Sequence, residues 1–174
     1  MKDRTHLYTE KGGYIFFWGG PFSQWHKAKF KDEHNREFNC CEQYMMYCKA
    51  EVFGDTESMS KVMATSSPRE QKGLGRQVKG FDHVTWDKIK YNIVYLGNYF
   101  KFSQNEILWN LLDGTGEKPI AEASPWDSIW GIGLQVEDPM ILNTSIWGEN
   151  LLGKALMEVR EELRKARGYR RARA

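Results

Sequence analysis

Apolar residues recur at three- and four-residue steps between Asn39 and Phe53, which is the spacing of an amphipathic helix. The apolar positions are Cys41, Tyr44, Met45, Cys48 and Val52. We expect this stripe to face the core and Gly54 to end the helix. A shorter helix is predicted for residues 56–64.

The middle of the chain contains two further predicted helices. Thr85 can cap a helix that runs to Lys101 with one apolar side. Ser103 and Glu106 have the spacing of a capping box, which predicts that another helix begins there. Residues 68–82 are rich in glycine and basic residues, and they are predicted to form an ordered loop with one helical turn.

Short strands complete the pattern. Aromatic and β-branched residues predict strands at Tyr14–Trp18, Lys27–Phe30 and Ile120–Ala123. Asn150 is expected to cap the last helix. The chain is therefore predicted to have a mainly α (α+β) fold, a compact single domain with a small β-sheet.

The length and composition of the chain fit one globular domain. A chain of 174 residues buries about 70% of its unfolded surface, and 41% hydrophobic with 28% charged residues is ordinary for such a domain. We predict an N-terminal extension over residues 1–11, a folded domain over residues 12–165 and a basic tail over residues 166–174.

The net charge of +2 gives no overall field that would attract nucleic acid or an anionic membrane. The basic surplus lies at the end of the chain, at Arg164, Lys165, Arg167, Arg170, Arg171 and Arg173. We expect a solvated, frayed segment there, and a nucleic-acid-binding arm is the alternative.

The cysteines and histidines predict no metal site. Cys40, Cys41 and Cys48 lack the paired spacing of zinc ligands, so we expect them to be buried and reduced, as in a cytoplasmic protein. The four histidines share no ligand spacing. No cofactor is expected. The sequence contains no apolar signal segment and no run of 18 apolar residues, so neither export nor a membrane span is expected.

Glu42 and Lys49 are the first candidates for chemistry. They are seven residues apart, so on a helix they lie within about 20° of each other around the axis. Both flank the apolar stripe, and a ligand the size of a sugar fits between them over a rise of about 10 Å. The alternative is a solvated ion pair without function.

The glycine-rich segment is a candidate phosphate site. Gly73 and Gly75 allow close backbone approach, and Lys72 and Arg76 can bind an anion. The spacing matches neither a Walker loop nor a dinucleotide fingerprint, so a simple basic loop is the alternative.

The loop EASPWDSIWGIG, residues 122–133, is too apolar for an ordinary surface connection. Trp126 and Trp130 would partly desolvate the carboxyl group of Asp127, which suits general acid catalysis. The alternative is that the two tryptophans fill the core while Asp127 caps a short helix.

Six blocks follow one another over nearly the whole chain: FFWGGPFSQW, EQYMMYCKA, SPREQKGLGRQVKGFDHVTW, KFSQN, EASPWDSIWGIG and GENLLGKALMEVR. In this order the chain resembles the NADAR (YbiA-like) family. The resemblance implies a mainly helical N-glycosidase that needs no metal. It implies two substrate classes, which are phosphoribosylamino-pyrimidine intermediates of riboflavin synthesis and ADP-ribose attached to the amino group of guanine.

The resemblance also implies site residues. The catalytic positions are Glu42, Lys49 and Asp127. The substrate-binding positions are Trp18, Gly19, Trp25, Arg76, Trp86, Lys101, Trp130, Gly131 and Asn150. Where many members have an Asn-Phe pair, this chain has Gln24 and Trp25, so it departs from the family at the base-side contact.

Both substrate classes join the anomeric carbon of a phosphorylated ribose to an exocyclic nitrogen. Glu42 is expected to stabilise positive charge at that carbon or to position water, and Asp127 to assist proton transfer. Lys49 either forms a Schiff base with the opened sugar, or binds phosphate or orients Glu42. The expected partner is a ribosylated base, small or linked to DNA, and the expected state is a monomer. A module that binds ADP-ribose without catalysis is the alternative function.

Overall fold

The computed structural model describes residues 7–168, which group into two compact units. One unit contains residues 7–23 and 106–168, and the other contains residues 24–105. The strands are β1 (Thr9–Lys11), β2 (Tyr14–Phe17), β3 (Phe30–Lys31), β4 (Glu37–Phe38) and β5 (Ile120–Glu122). The helices are α1 (Cys41–Val52), α2 (Thr56–Ala64), α3 (Pro68–Gly75), α4 (His83–Gln104), α5 (Glu106–Asp113) and α6 (Leu151–Ala166).

These elements confirm the predicted mainly α (α+β) class. The described residues form two small sheets, β1-β2-β5 and β3-β4, rather than one. Strand β1 lies inside the segment predicted as an N-terminal extension, and the predicted domain bounds stay a prediction. No helix within residues 7–168 is long and apolar enough to cross a membrane.

Helix α1 is the centre of the unit formed by residues 24–105, where it packs against α2, α3 and α4. Two buried amide side chains hold this arrangement. Gln43 Nε2 donates to the carbonyl of Val62 at 3.1 Å, and Gln71 Nε2 donates to the carbonyl of Thr65 at 2.8 Å. Because buried amides need such partners, the first bond fixes α1 against α2, and the second fixes α3 against the end of α2.

The apolar stripe of α1 is largely as predicted. Its buried members are Cys41, Tyr44, Met45 and Cys48, whereas Val52 at the end of the helix is 44% exposed. The prediction for Val52 was wrong because the last turn of α1 reaches solvent. The three cysteines are free and buried, as expected.

Helix α3 replaces the predicted loop. The hydroxyl of Ser67 accepts from the N–H of Glu70 at 3.3 Å, and Pro68 occupies the first helical turn, where its fixed φ favours a helix. Gly75 faces α1, because a Cβ there would overlap the sulfur of Met46. This glycine therefore lets two helices pack closely.

Helix α4 begins earlier and ends later than predicted. Its cap is Asp82, whose carboxylate accepts from the N–H of Thr85 at 2.7 Å. Ser103 lies inside the helix, and its hydroxyl donates to the carbonyl of Phe100 at 3.2 Å. The predicted capping box with Glu106 is therefore wrong, because the helical backbone continues through its first residue. The predicted strand at residues 27–30 is limited to β3, which pairs with β4.

In the other unit, β2 pairs with β1 and β5, antiparallel and parallel respectively. The N–H of Ala123 donates to the carbonyl of Phe17 at 2.7 Å. The segments that follow β2 and β5 therefore leave the sheet at the same edge. One cluster of buried residues in this unit contains Phe16 of β2 and Ala121 of β5 together with Ala123, Ile132 and Ile141.

Helix α6 packs on β5, and Asn150 precedes it in a left-handed conformation with φ of 51°. The predicted capping bond is absent within the described residues, because the Asn150 side chain is used elsewhere. It accepts from the N–H of Glu122 at 3.1 Å and donates to the carbonyl of Ile120 at 2.9 Å. Asn150 thus joins the start of α6 to β5.

The basic segment that begins at Arg164 was expected to be solvated, and its first residues lie in α6. Arg164 lies in α6 and pairs with Asp113 at 2.6 Å and Glu117 at 3.0 Å, so it is not a solvated residue as expected. Arg167 pairs with Glu106 at 2.9 Å. The expectation for Arg170, Arg171 and Arg173 lies outside the described residues.

Candidate functional site

Glu42 lies in the first turn of α1 and is only 6% exposed. Its N–H donates to the carbonyl of Gln24 at 2.9 Å. A carboxylate at this end of a helix is favoured by the helix dipole, and burial keeps it from being fully hydrated. Glu42 is therefore held in a largely buried position at the start of α1.

Lys49 lies two turns further along α1 and is partly buried. Its Nζ is 4.3 Å from the ring centroid of Phe81 and 5.5 Å from that of Trp86. Burial lowers the pKa of Lys49 from its usual value, and the charge of Glu42 opposes that shift. Glu42 and Lys49 therefore interact electrostatically.

Phe81 was missed by the sequence analysis. The resemblance implied Trp86 as a substrate-binding residue, and Trp86 lies within α4, whereas Phe81 precedes that helix. Together the two rings provide an apolar wall beside the Lys49 amine.

Arg76, Lys72 and Trp25 form a more exposed group in the same unit. Arg76 follows the last residue of α3 and is exposed. Lys72 Nζ lies 6.0 Å from the ring centroid of Trp25, which is 41% exposed. These side chains can bind a charged group or stack on a planar group of a ligand that approaches from solvent.

Lys101 differs from the other predicted binding residues because its side chain is wholly buried. Burial lowers the pKa of Lys101, and the thiols of Cys41 and Cys40 oppose the shift. Its Nζ lies 5.0 Å from the ring of Phe102. The charge of Lys101 also lowers the pKa of His26, after the larger effect of burial on that imidazole. A direct substrate contact for Lys101 stays a prediction.

In the other unit, Asp127 organises the loop that follows β5. Its Oδ1 accepts from the N–H of Ile129 at 2.9 Å and from the N–H of Trp130 at 2.8 Å. The predicted cover by two tryptophans is not formed, because Trp126 is 85% exposed. Asp127 therefore caps a turn. The alternative given in the sequence analysis was that it caps a short helix, but no helix directly follows it.

Gly131 lies where this loop returns to the sheet. A Cβ there would be 2.8 Å from the carbonyl oxygen of Glu122 and 2.9 Å from that of Asp127. The carbonyl of Gly131 accepts from the N–H of Asn150 at 3.1 Å. The structure thus brings Asp127, Trp130, Gly131 and Asn150 together, and only glycine fits at the crossing point.

Trp18 and Gly19 follow β2 in this unit. Trp18 is 64% exposed, and Gly19 has a φ of 83°, a conformation that favours glycine. Because β2 and β5 are parallel neighbours, Trp18 leaves the same sheet edge as the Asp127 loop. Residues 7–168 contain no group of three or more His, Cys, Asp or Glu side chains that could hold a metal.

The fold is mainly helical α+β, and helix α1 holds a carboxyl group and an amine, with aromatic rings beside the amine. Such groups can take part in acid-base or covalent catalysis. The chain belongs to the NADAR family, since the NADAR domain model matches residues 16–164.

Similar proteins support this assignment. An N-glycosidase of Acanthamoeba polyphaga mimivirus is 45% identical over 166 residues, which cover 88% of this chain and 98% of the relative. An N-glycosidase of Nostoc punctiforme is 33% identical over 110 residues, 63% of this chain and 64% of the relative. The NMR structure of Escherichia coli YbiA matches with a TM-score of 0.74 at 23% identity, over 96% of this chain and 94% of that one, and shows the same fold. Family membership and the named relatives make this chain a hydrolase of the N-glycosidase type.

Proposed function

We propose that the chain hydrolyses the C–N bond between a phosphorylated ribose and an exocyclic amine of a guanine or pyrimidine base. The observation that carries this proposal is the interacting pair of Glu42 and Lys49 on α1, with the rings of Phe81 and Trp86 beside the amine. A site that only bound a ligand would not need a buried carboxylate next to a lysine of lowered pKa.

The chemistry of a ribosylamine explains the use of both groups. When its C–N bond weakens, positive charge develops at the anomeric carbon, and the departing nitrogen must receive a proton. The carboxylate of Glu42 stabilises that charge, or orients the water that finally attacks. Because Glu42 is largely removed from solvent, its effect on a neighbouring charge is stronger than in water.

Lys49 supplies the nucleophile. The ribosylamine opens to an imine, with the ring oxygen leaving the anomeric carbon as a hydroxyl group. Neutral Lys49 Nζ adds to that carbon and one of its protons passes to the base nitrogen. When the second proton has also passed to the base nitrogen, the bond from the carbon to that nitrogen breaks, the base leaves as a free amine, and the lysine Schiff base forms. Water then adds to the lysine Schiff base, which releases the free sugar and restores the amine. In the competing route Lys49 stays charged, binds phosphate or orients Glu42, and water attacks directly.

The phosphate of the sugar is assigned to the basic residues of the α3 region. Arg76 and Lys72 are exposed cations there, and Trp25 offers a planar face near Lys72. Arginine can bind a phosphate through two parallel hydrogen bonds, which adds orientation to charge. Proton transfer by Asp127 is a separate part of the proposal, carried by the sequence, and it is tested by its own variants below.

A direct assay distinguishes the substrates. The protein is incubated with guanosine ADP-ribosylated on its amino group, with the same modification in an oligonucleotide, and with the phosphoribosylamino-pyrimidine intermediate. Chromatography then detects the released base or nucleoside. We expect release from at least one of these, and none from adenosine monophosphate, whose glycosidic bond ends on a ring nitrogen. Failure with all three substrates, or equal cleavage of adenosine monophosphate, would contradict the proposal.

A further inference from the structure

Gln24 carries an amide group whose nitrogen has no hydrogen-bond partner. Its Nε2 is buried, and it finds no acceptor among residues 7–168. Buried donors in native proteins nearly always have a partner, and an unmatched one opposes folding. A donor of this kind is therefore expected where a ligand supplies the acceptor.

The orientation of this amide is fixed by its neighbours. Burial raises the pKa of Cys41 to about 12, so its thiol keeps its proton and donates to Oδ1 of Asn98 at 3.7 Å. Asn98 Nδ2 then donates to the carbonyl of Val94 at 2.9 Å and to Oε1 of Gln24 at 2.7 Å. Since Oε1 of Gln24 accepts from Asn98, Nε2 must be the end of the amide without a partner.

Gln24 is also tied to the acid of the proposed site. Its carbonyl accepts from the N–H of Glu42 at 2.9 Å, and Cys41, which orients the amide through Asn98, is the residue before Glu42. Gln24 as a whole is only partly buried, so it lies between the interior and the surface of its unit. Gln24 is therefore joined through its backbone to the first turn of the helix that carries Glu42.

The guanine substrate has an acceptor near the bond that breaks. In guanine the carbon that carries the ribosylated amine also bonds to a ring nitrogen with a free lone pair, and a pyrimidine intermediate has the same acceptor where its corresponding ring nitrogen carries no hydrogen. That nitrogen takes up electron density as the amine departs, so a donor placed on it favours the transition state.

We propose that Gln24 is a substrate-contacting residue whose Nε2 donates a hydrogen bond to the ring nitrogen next to the exocyclic amine of the base. This inference rests on the proposed function, because it assigns the base side of the same site.

The test combines a variant with a modified substrate. Gln24→Glu keeps an oxygen that accepts from Asn98 and removes the donor. The matched substrate replaces the ring nitrogen of the ADP-ribosylated guanine, or of the pyrimidine, with C–H. For the wild type we expect this replacement to lower kcat/KM by about tenfold or more, the usual effect of one such hydrogen bond. For Gln24→Glu we expect kcat/KM with the normal substrate to fall by a similar factor, and replacing the ring nitrogen should lower it little further.

The controls separate the possible failures. Asn92→Asp adds the same charge at an exposed position of α4 and should leave kcat/KM unchanged. If the wild type cleaves neither normal substrate, the proposed function fails. Suppose instead that the wild type is active but Gln24→Glu lowers kcat/KM by the same factor for the normal and the modified substrate, or lowers it for neither. Either result would show that Gln24 does not contact the ring nitrogen. Gln24→Met, which also lacks the donor but adds no charge, should reproduce the pattern if Gln24→Glu unfolds.

Discussion

Replacing Asp127 by asparagine and by alanine separates its structural role from its proposed role as an acid. Oδ1 of Asp127 accepts two backbone N–H bonds, at 2.9 and 2.8 Å, from a partly exposed position. Asparagine has an oxygen that can accept both, so Asp127→Asn should cost less than about 0.5 kcal/mol of unfolding free energy. Alanine removes both bonds and should cost about 1–2 kcal/mol.

Thermal unfolding and turnover measure the two roles independently. For a chain of this size the loss in Asp127→Ala corresponds to a fall in Tm of about 2–8 °C. Asp127→Asn should unfold near the wild-type temperature but lose at least about a hundredfold in turnover, as removal of an acid usually causes. Asp138→Ala is the control, because Asp138 accepts one similar bond from Met140 in the same unit, and it should remain active. Wild-type turnover in Asp127→Asn would show that Asp127 only caps the turn, and an unchanged Tm in Asp127→Ala would refute the hydrogen-bond argument.

Three further predictions concern the pair on α1 and the absence of a metal requirement. Glu42→Gln should fold normally and lose at least about a hundredfold in turnover, whereas Glu33→Gln, at an exposed turn, should keep wild-type turnover. If Glu42→Gln has the circular-dichroism spectrum and also the turnover of the wild type, Glu42 has no part in the mechanism. The neutral amine of Lys49 predominates above its pKa, so the rate should rise with pH and level off below the usual lysine value of 10.5; a profile flat across this range would argue against a neutral nucleophile. Activity should survive excess chelator, because residues 7–168 offer no cluster of metal ligands, and loss that a divalent ion restores would overturn this expectation.

The sequence predicted what depends on local periodicity. The stripe of α1 and the relation of Glu42 to Lys49 follow from helix geometry alone, and both were found. The strand that begins at Tyr14 and the residue that precedes α6 were also placed correctly. Each of these features is set by residues close together in the chain.

The errors arose where a distant residue decides the structure. Asn150 has the residue type of a helix cap, but its side chain joins β5, 28 residues away in the chain from Glu122. Gly75 looked like part of a phosphate loop, and its packing against Met46 depends on the pairing of α3 with α1. Phe81 was overlooked because only the folded chain shows that its ring lies beside Lys49.

Trapping of the sugar on Lys49 tests the proposed reaction most directly. Borohydride is added during turnover of the ADP-ribosylated guanosine, and mass spectrometry locates any adduct. We predict a reduced ribose adduct on Lys49, no adduct in Lys49→Arg, and no turnover by that variant, while Lys88→Arg at an exposed position of α4 behaves as the wild type. An active Lys49→Arg enzyme without any trapped adduct in the wild type would contradict covalent catalysis and leave Glu42 with a bound water as the attacking pair.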